Sequence, residues 1–510
     1  MDRRVDDARA IDRASASERR AQCAMAMPAS ASNAANTLRD VVTLAYVGGT
    51  LGARALAGAA LGQTLVNVLG KSVLVGCSGG VNTLAGTAYG GRAYARVGVV
   101  AQRAGVVMTL MCLPLACAWW NGERLAVFIG QDAGVARSCG VFTRALVPFL
   151  FVYAWTGATQ AYLQAQGIVG PTALGSVLAA VTHPLANEVF LRWYDYGLAG
   201  AAYAYCVSAS VSLATQIIYI LFWRKKYREP DEALARRRDA CAVPWSLRQA
   251  FSYRGWMEYF EMAIPGVALK AEWWASDIIV MCAGYLDDPS PSVALAAMSI
   301  YSSTNAFMFD LAIGLSVSTT TRVTHELGAR APERAKRAAY VGFQLVFIVG
   351  ALAAAFALAV RPIWGDLFTP NGETQLIVSS LMLYLAVYVI FDSAGAVGTG
   401  VLRACGRQAD AINAVILSYF VLGIPIAIVL AFYAEAGVIG LALGGLIGTI
   451  VHAIALIDMV YQLDWDAEAR RAVARAAEAS IVPDGEHSDS ESAEPGAESS
   501  NWTQQYGATA

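Results

Sequence analysis

Residues 265–284 read Pro-Gly-Val-Ala-Leu-Lys-Ala-Glu-Trp-Trp-Ala-Ser-Asp-Ile-Ile-Val-Met-Cys-Ala-Gly, which is long and apolar enough to cross a lipid bilayer as a helix. The stretch nevertheless carries two carboxyl groups near its middle, those of Glu272 and Asp277. An ionised carboxylate at the centre of a bilayer costs roughly 2.5–3.5 kcal/mol on insertion scales, so membrane helices rarely keep one without a function or a partner. The stretch therefore predicts ion-coupled transport or, alternatively, a structural pair between Asp277 and Lys270.

The composition of the whole chain is typical of a protein embedded in a membrane. Of its 510 residues, 56% are hydrophobic and only 15% are charged, whereas soluble domains average about 25% charged residues. The nine cysteines are scattered singly through apolar segments, so the sequence predicts neither a disulfide framework nor a metal site.

Twelve apolar stretches can each span the bilayer core as a helix of about 20 residues. They are residues 23–47, 56–80, 97–118, 140–162, 168–191, 198–223, 257–284, 292–318, 338–360, 376–400, 411–433 and 437–461. The first is the weakest, because residues 28–36 are mostly Ser, Ala and Asn, and we expect it to face protein or water rather than lipid. The predicted fold class is an all-α membrane protein with twelve transmembrane helices.

The connecting segments predict how the chain lies in the membrane. Lys and Arg are concentrated in the loops after the second, sixth, eighth and tenth helices, which the positive-inside rule places in the cytoplasm together with both termini. Residues 1–22 are predicted to be a cytosolic tail, and residues 224–256 a basic cytosolic loop between two halves. Residues 462–510 are rich in Ser, Ala, Glu and Gly and are predicted to be a disordered acidic tail. Either the plasma membrane or a vacuole-type internal membrane fits this arrangement.

The chain also repeats itself at an offset near 238 residues. Matching pairs include Pro28 and Pro265, Asp40 and Asp277, Gly76 and Gly314, Arg92 and Arg330, and Gly200 and Gly440. Because each half contains an even number of helices, both halves enter the membrane in the same orientation. We therefore expect two parallel, pseudo-symmetric six-helix lobes, residues 23–223 and 257–461, with the substrate bound between them.

Several motifs resemble those of the eukaryotic branch of the multidrug and toxic compound extrusion (MATE) transporters. They are Glu272-Trp273-Trp274 after Pro265, the Ser- and Thr-rich run from Gly314 to Arg330, Gly400-Val-Leu-Arg-Ala-Cys-Gly-Arg-Gln, and Gly423-Ile-Pro425. The resemblance covers residues 25–460 and implies two six-helix lobes around a V-shaped cleft. It also implies an exporter of organic solutes, often cationic, that is driven by inward movement of protons.

The resemblance also implies functional roles for three acidic residues. The coupling glutamate of the family's seventh helix matches Glu272, a second acid in that helix matches Asp277, and an acid in the tenth helix matches Asp392. Trp273 and Trp274 next to Glu272 form an aromatic wall, which suits an organic cation through cation–π contact and charge neutralisation. All five residues are therefore candidates for proton coupling or substrate binding.

Asp392 has a second interpretation that follows from its position. It comes one turn after Tyr388 and two turns after Tyr384, so the three side chains form a stripe on one helix. The stripe either lines a cavity or ties the Asp392 carboxylate to a tyrosine hydroxyl inside the lobe. Asp310 also has two interpretations, because it could line the cavity or pair with Lys270.

Weaker candidates are polar residues that more often bond neighbouring membrane helices than substrates. They are Asn305, Asp40, Asn33 and Asn82. Lys71 either extends its ammonium toward the membrane surface or pairs with Asp40. His183, which precedes Pro184, either relays protons or satisfies the broken helix.

Taken together, the residues predict a proton-coupled antiporter in which Glu272 exchanges a proton for an organic solute. We expect no catalytic residue, no metal and no cofactor, with H⁺ as the driving ion, and a monomer whose partners are the solute and the bilayer, without nucleic acid. A sodium-driven exporter and a lipid-linked sugar flippase of similar topology are the alternatives. A membrane enzyme that binds magnesium diphosphate through Asp287 and Asp288 would need a second aspartate-rich loop, which the sequence lacks.

Overall fold

The computed structural model describes residues 2–223, 236–237, 239–369 and 371–478. The membrane helices run α1 Asp2–Leu51, α2 Arg54–Gly90, α3 Tyr94–Trp120, α4 Ala133–Ala145 with Val147–Ala165, α5 Gly170–Trp193, α6 Gly197–Phe222, α7 Tyr253–Ala268 with Ala271–Cys282, α8 Pro291–Gly328, α9 Pro332–Leu367, α10 Gly372–Ala404, α11 Gln408–Tyr433 and α12 Gly437–Tyr461. A further helix, α13, spans Trp465–Glu478. The predicted all-α fold of twelve membrane helices is confirmed; α1–α6 form the N-lobe and α7–α12 the C-lobe.

Three of the twelve helices are broken or carry several polar groups. In the described part of the chain, eight helices are long and apolar enough to cross a membrane, and the bent pair that forms α4 makes a ninth. The other three carry polar groups or a break: α1 contains Arg39 and Asp40, α8 contains Asn305 and Asp310, and α7 is interrupted after Ala268. Such groups are tolerated in a membrane where they face protein or water, so these helices supply the polar interior of the molecule.

The internal repeat is present in the backbone as well as in the sequence. Arg92 and Arg330 both adopt left-handed backbone, with φ of 64° and 57°, in the turns that end α2 and α8. Asp195 and Glu435 do the same, with φ of 50° and 55°, in the turns before α6 and α12. Positive φ is uncommon for residues other than glycine. Its recurrence at the predicted offset shows that corresponding loops of the two lobes close in the same way.

The first helix of each lobe begins against the other lobe. Ala26 of α1 belongs to the apolar core of the C-lobe, and Tyr259 of α7 belongs to the core of the N-lobe. The Tyr259 hydroxyl donates a hydrogen bond to the carbonyl oxygen of Cys77 in α2 at 2.9 Å. The Ser30 hydroxyl of α1 donates to the carbonyl oxygen of Leu311 in α8 at 3.1 Å. The lobes are therefore joined by two reciprocal helix crossings.

Two glycines related by the repeat permit these crossings. A methyl group added to Gly76 of α2 would overlap the backbone of Val267 in α7. One added to Gly314 of α8 would overlap Ser30 and the backbone of Ala26 in α1. Small residues allow membrane helices to approach closely, so the matched glycines found in the sequence mark the contacts between the lobes.

The N-terminal segment differs from the prediction of a tail over residues 1–22. It is continuous with the first membrane helix, because α1 begins at Asp2. Glu18 and Gln22 are buried: Glu18 pairs with Arg322 of α8, and the Gln22 amide donates to the carbonyl oxygen of Ala338 in α9 at 2.7 Å. The segment has too few apolar residues to be recognised as a helix in lipid, but polar partners on the C-lobe hold it in place.

The prediction of a disordered tail over residues 462–510 is wrong for the first part of that range. Residues Trp465–Glu478 form α13, and Trp465, Ala469 and Ala472 are buried against α8 and α9. One apolar face at helical spacing is enough to dock a helix that is otherwise charged, so overall composition concealed it. The rest of the predicted tail, residues 479–510, lies outside the described residues.

The predicted loop over residues 224–256 lies partly outside the described residues as well. Where it is described, Cys241 is buried in the N-lobe core and α7 begins at Tyr253, earlier than predicted. We call the side of the molecule that holds this segment and the loops after α2, α8 and α10 the basic side.

Candidate functional site

A cavity inside the C-lobe is lined by residues of α7, α8, α10, α11 and α12. The polar part of its wall consists of Ser276, Tyr301, Ser302, Asn305, Tyr388 and Tyr419, and the rest of the lining is apolar. Pockets for small organic molecules likewise combine an apolar wall with a few polar groups.

Two acids lie close to residues that line this cavity. Asp392 is buried, and its Oδ2 accepts a hydrogen bond from the Asn305 amide at 3.3 Å. Glu272 lies one helical turn before the cavity residue Ser276. The Glu272 carboxylate interacts electrostatically with Asp392 and with the hydroxyl of Tyr388. The structure thus brings together two of the three predicted coupling acids.

The predicted acid of the N-lobe, in contrast, is held by fixed partners. Asp40 Oδ1 lies 3.3 Å from the Lys71 ammonium and accepts a hydrogen bond from the Tyr205 hydroxyl at 2.6 Å, so of the two interpretations of Lys71 the structure has the pair with Asp40. Among the described residues, Glu272 and Asp392 have no Lys, Arg or His nitrogen within 4.0 Å. A carboxylate without a fixed basic partner is available for a proton or a cationic ligand.

The break in α7 shapes the edge of the cavity. Its two segments are separated by Leu269 and Lys270, and Glu272 lies in the first turn of the second segment, where the helix dipole favours a carboxylate. The Lys270 ammonium lies 3.8 Å from the centroid of the Trp273 ring. The indole nitrogen of Trp274 is buried and has no hydrogen-bond partner among the described residues. One face of the predicted aromatic wall is therefore already covered by a cation.

Asp277, the third predicted coupling acid, lies apart from the other two. It is exposed on the side of α7 that also carries the exposed side chain of Met281, whereas Ala275 and Ile279 face the interior. None of the three acids is itself among the residues that line the cavity. Asp277 differs from Asp392, which is buried, because its side chain lies on the exposed side of its helix.

In the structure, Asp310 and Asp392 have hydrogen-bond partners other than the ones that the sequence suggested. Asp310 accepts a hydrogen bond from the Thr37 hydroxyl of α1 at 2.7 Å instead of pairing with Lys270, so it links α8 to α1. Asp392 is bonded to Asn305 rather than to a tyrosine hydroxyl. Tyr384, the outermost residue of the predicted stripe, packs against the apolar core of the C-lobe instead of lining the cavity.

The remaining secondary candidates belong to the N-lobe. Asn33 of α1 and Asn82 of α2 are half-buried, and the Oδ1 atom of Asn82 has no partner among the described residues. The His183 ring lies between the hydroxyls of Thr43, at 2.7 Å, and Ser208, at 3.1 Å. These two bonds favour the interpretation of His183 as a residue that satisfies the interior of a broken helix.

Sequence reasoning missed Tyr301, Tyr419 and His452. The two tyrosines line the cavity, and the His452 Nδ1 lies 3.4 Å from the Tyr419 hydroxyl. Tyr301 comes one turn before Asn305, which is the only signal in the sequence that could have identified it. Aromatic residues are common in membrane helices, so the other two could be recognised only once the helices were placed side by side.

Known proteins share this fold and sequence pattern. The MatE family model matches residues 28–188 and 266–429, one stretch in each lobe. Protein DETOXIFICATION 51 of Arabidopsis thaliana is 30% identical over 436 residues, which cover 85% of this chain and 79% of that protein. Protein DETOXIFICATION 16 of the same plant is 29% identical over 446 residues, which cover 87% and 88% of the two chains.

Solved structures lead to the same family. The crystal structure of the eukaryotic MATE transporter AtDTX14 matches with a TM-score of 0.83 at 28% identity, over 91% of this chain and 100% of that one. A MATE structure in the bent conformation shares the fold, with a TM-score of 0.76 at 16% identity, over 91% of this chain and 98% of that one. With both lobes matched, this chain is a multi-pass membrane protein that belongs to the MATE family of multidrug and toxic compound extrusion transporters.

Proposed function

We propose that the protein is a proton-coupled antiporter that exports organic solutes, chiefly ones that carry a cationic group, by alternating access of its two lobes. The observation that carries this proposal is the position of two carboxyl groups next to a tyrosine-lined cavity: Asp392 is bonded to the cavity residue Asn305, and Glu272 lies one turn before the cavity residue Ser276. Among the described residues, neither carboxylate has a Lys, Arg or His nitrogen within 4.0 Å. Two carboxylates so placed repel each other. Either a proton or a cationic solute relieves that repulsion, so the two compete for one site.

This competition couples the two flows. When the cavity opens toward the less acidic compartment, the site loses its proton and takes up the solute, whose charge the carboxylates neutralise. When it opens toward the more acidic compartment, protonation removes the attraction and the solute leaves. The ring faces and hydroxyls of Tyr301, Tyr388 and Tyr419 provide cation–π contact and hydrogen bonds for the solute in between.

We further propose that the basic side faces the cytoplasm, which places both termini there. The cargo then moves from the cytoplasm across the plasma membrane or into a vacuole-type compartment. Each monomer contains a complete cavity, and the cycle uses no cofactor other than the driving ion.

A sodium-driven cycle is the second candidate, and Asn305 is the residue that favours it. Its Oδ1 is buried without a partner among the described residues, and its amide already contacts Asp392. Carboxylate and amide oxygens are ligands that hard cations take. Replacing Na⁺ by K⁺ at constant pH would leave a proton-driven cycle unchanged and would stop a sodium-driven one.

The coupling proposal can be tested in proteoliposomes loaded with a fluorescent organic cation and placed under an imposed pH gradient. We expect Glu272→Gln to abolish gradient-driven movement of the cation, because the amide neither binds a proton nor neutralises the solute. Glu373→Gln is the matched control, since Glu373 is exposed in the first turn of α10. Gradient-driven movement that is unchanged in Glu272→Gln would overturn the proposal.

A further inference from the structure

A second charged group adjoins the solute site and carries the opposite sign. Lys270 lies in the break of α7, two residues before Glu272, and its ammonium covers the Trp273 ring at 3.8 Å. The Glu272 carboxylate attracts both this ammonium and the guanidinium of Arg403. Lys270 thus occupies a place that the ammonium group of a cationic cargo would take, over an indole and within electrostatic reach of a carboxylate.

Arg403 is a second positively charged residue near Glu272. It lies at the end of α10 and packs against Gly79 of α2, at the boundary between the lobes. Its Nε is buried and has no hydrogen-bond partner among the described residues. A guanidinium with an unused donor is well suited to an anionic group.

The site therefore has two ends of opposite charge. Along α7, Lys270 precedes Glu272, whereas the cavity residue Ser276 follows it by one turn. On α10, Arg403 lies at the end of the helix, about three turns after Asp392, and it interacts electrostatically with Glu272, as Lys270 does. A ligand with a single positive charge must displace Lys270 from Trp273. A ligand that carries both a cationic and an anionic group can satisfy both ends without displacing it.

We propose that Lys270 is a specificity-determining residue: a tethered cation that competes with simple monocations and favours zwitterionic organic solutes. This inference rests on the proposed function of the cavity and names the class of cargo it takes. The cationic group of the zwitterion lies at the carboxylates and tyrosines, and its carboxylate lies at Lys270 and Arg403.

A pair of dyes on one scaffold separates these classes. A rhodamine with a free carboxylate is a zwitterion, and its ethyl ester is a monocation of nearly the same size. Binding of both is measured by fluorescence anisotropy with purified full-length protein in detergent, without any pH gradient. We expect the wild-type protein to bind the free acid more tightly than the ester.

Lys270→Met should reverse that order. We expect the ester to bind on the order of tenfold more tightly, because the Trp273 face and Glu272 become available, and the free acid to bind more weakly. Lys270→Arg keeps the positive charge, so it should retain the wild-type order and also show that the site tolerates substitution. Lys336→Met, which removes a lysine from the first turns of α9, is the control for loss of a positive charge elsewhere.

An unchanged ratio of the two affinities in Lys270→Met would overturn the inference, and so would failure of the wild-type protein to bind the free acid. These outcomes are distinguishable from failure of the coupling proposal. If gradient-driven movement survives in Glu272→Gln while the dye order still reverses in Lys270→Met, proton coupling at Glu272 is wrong and the charge selectivity stands.

Discussion

Arg322 of α8 holds Glu18 of α1 in a two-pronged ion pair across the boundary between the lobes. Its Nε donates to Oε1 of Glu18 at 3.0 Å and its Nη2 donates to Oε2 at 2.7 Å. The opposite crossing has a counterpart, because Glu258 of α7 pairs with Arg96 and Arg103 of α3. Each helix that crosses between the lobes therefore brings a glutamate to arginine on the other lobe, on the basic side.

Loss of one partner from the Glu18 pair should destabilise the protein strongly. Both side chains are about 10% exposed, and removing one member of a buried pair costs about 3–5 kcal/mol where the other is left as an uncompensated charge. We expect Arg322→Gln, which leaves Glu18 without its ion-pair partner, to lower the free energy of unfolding, measured by SDS-induced unfolding in mixed micelles, by this order. Glu18→Gln should cost less, because Arg322 keeps its ion pair with Glu326 at 3.2 Å. The double variant should lose less than the sum of the two.

The exposed pair of Glu123 and Arg144 serves as the control. Their side chains are 37% and 40% exposed, so Glu123→Gln should change the free energy of unfolding by no more than about 1 kcal/mol. If the effects of Glu18→Gln and Arg322→Gln simply add, the two side chains are not coupled, and the crossing is held by other contacts.

The Glu18 pair should also be insensitive to pH across the physiological range. Glu18 precedes the predicted membrane span. Burial raises the pKa of its carboxyl, but the charge and hydrogen bonds of Arg322 lower it, with smaller contributions from Gln22 and Arg337. The lowering effects are together the larger, so the pKa of Glu18 lies below its ordinary value. A carboxyl with a lowered folded-state pKa contributes stability above its unfolded pKa and loses it as the pH falls through the folded value. The stability difference between wild type and Glu18→Gln should thus be equal at pH 6 and pH 8 and shrink only under strongly acidic conditions. A difference that changes between pH 6 and pH 8 would contradict this.

The three predicted coupling acids should differ in how much transport depends on them. Asp392 is buried beside Asn305 at the cavity, whereas Asp277 is exposed on another side of α7. We expect Asp392→Asn to lose most gradient-driven export of an organic cation in proteoliposomes, and Asp277→Asn to keep most of it. Both substitutions replace one carboxyl by an amide of equal size, so each controls for the other. Equal losses would show that Asp277 also takes part in coupling.

The sequence was most informative about features that depend on a single segment of the chain. Length and apolarity predicted the membrane helices, and the matched glycines at 76 and 314 predicted the repeat whose crossings the structure shows. The two acids at the cavity were found because carboxyl groups are conspicuous in apolar segments. Which of them face the same space could not be predicted, since α7 and α10 are brought together only by packing.

Partners distant in the chain were beyond sequence reasoning for a related reason. Glu18 lies in a charged segment without apolar character, and its partner Arg322 is 304 residues away. The docked face of α13 consists largely of Trp465 and two alanines, which composition alone does not distinguish from a solvated tail. In both places a few specific contacts, rather than a pattern along the chain, determine the structure.

Helix α13 ties the two lobes together on the basic side. The Arg96 guanidinium at the start of α3 donates to the carbonyl oxygen of Arg475 at 2.7 Å, and the Arg475 guanidinium donates to the carbonyl oxygen of Cys405 at 2.9 Å. Cys405, at the end of α10, is fully buried. Because α13 contacts both lobes, its removal should uncover Cys405 and favour separation of the lobes on this side.

Truncation of the chain tests this role of α13. A protein that ends at Gln462 should react at Cys405 with N-ethylmaleimide on the order of tenfold faster than the full chain, measured by mass spectrometry of the Cys405 peptide, since losing one or two buried hydrogen bonds is worth about 1.4 kcal/mol. A protein that ends at Glu478 keeps α13 and should react like the full chain. Cys77, which is buried in the N-lobe core, is the internal reference and should stay unreactive in all three proteins. Equal reactivity of Cys405 in the two truncated proteins would show that α13 neither covers the end of α10 nor holds the lobes together.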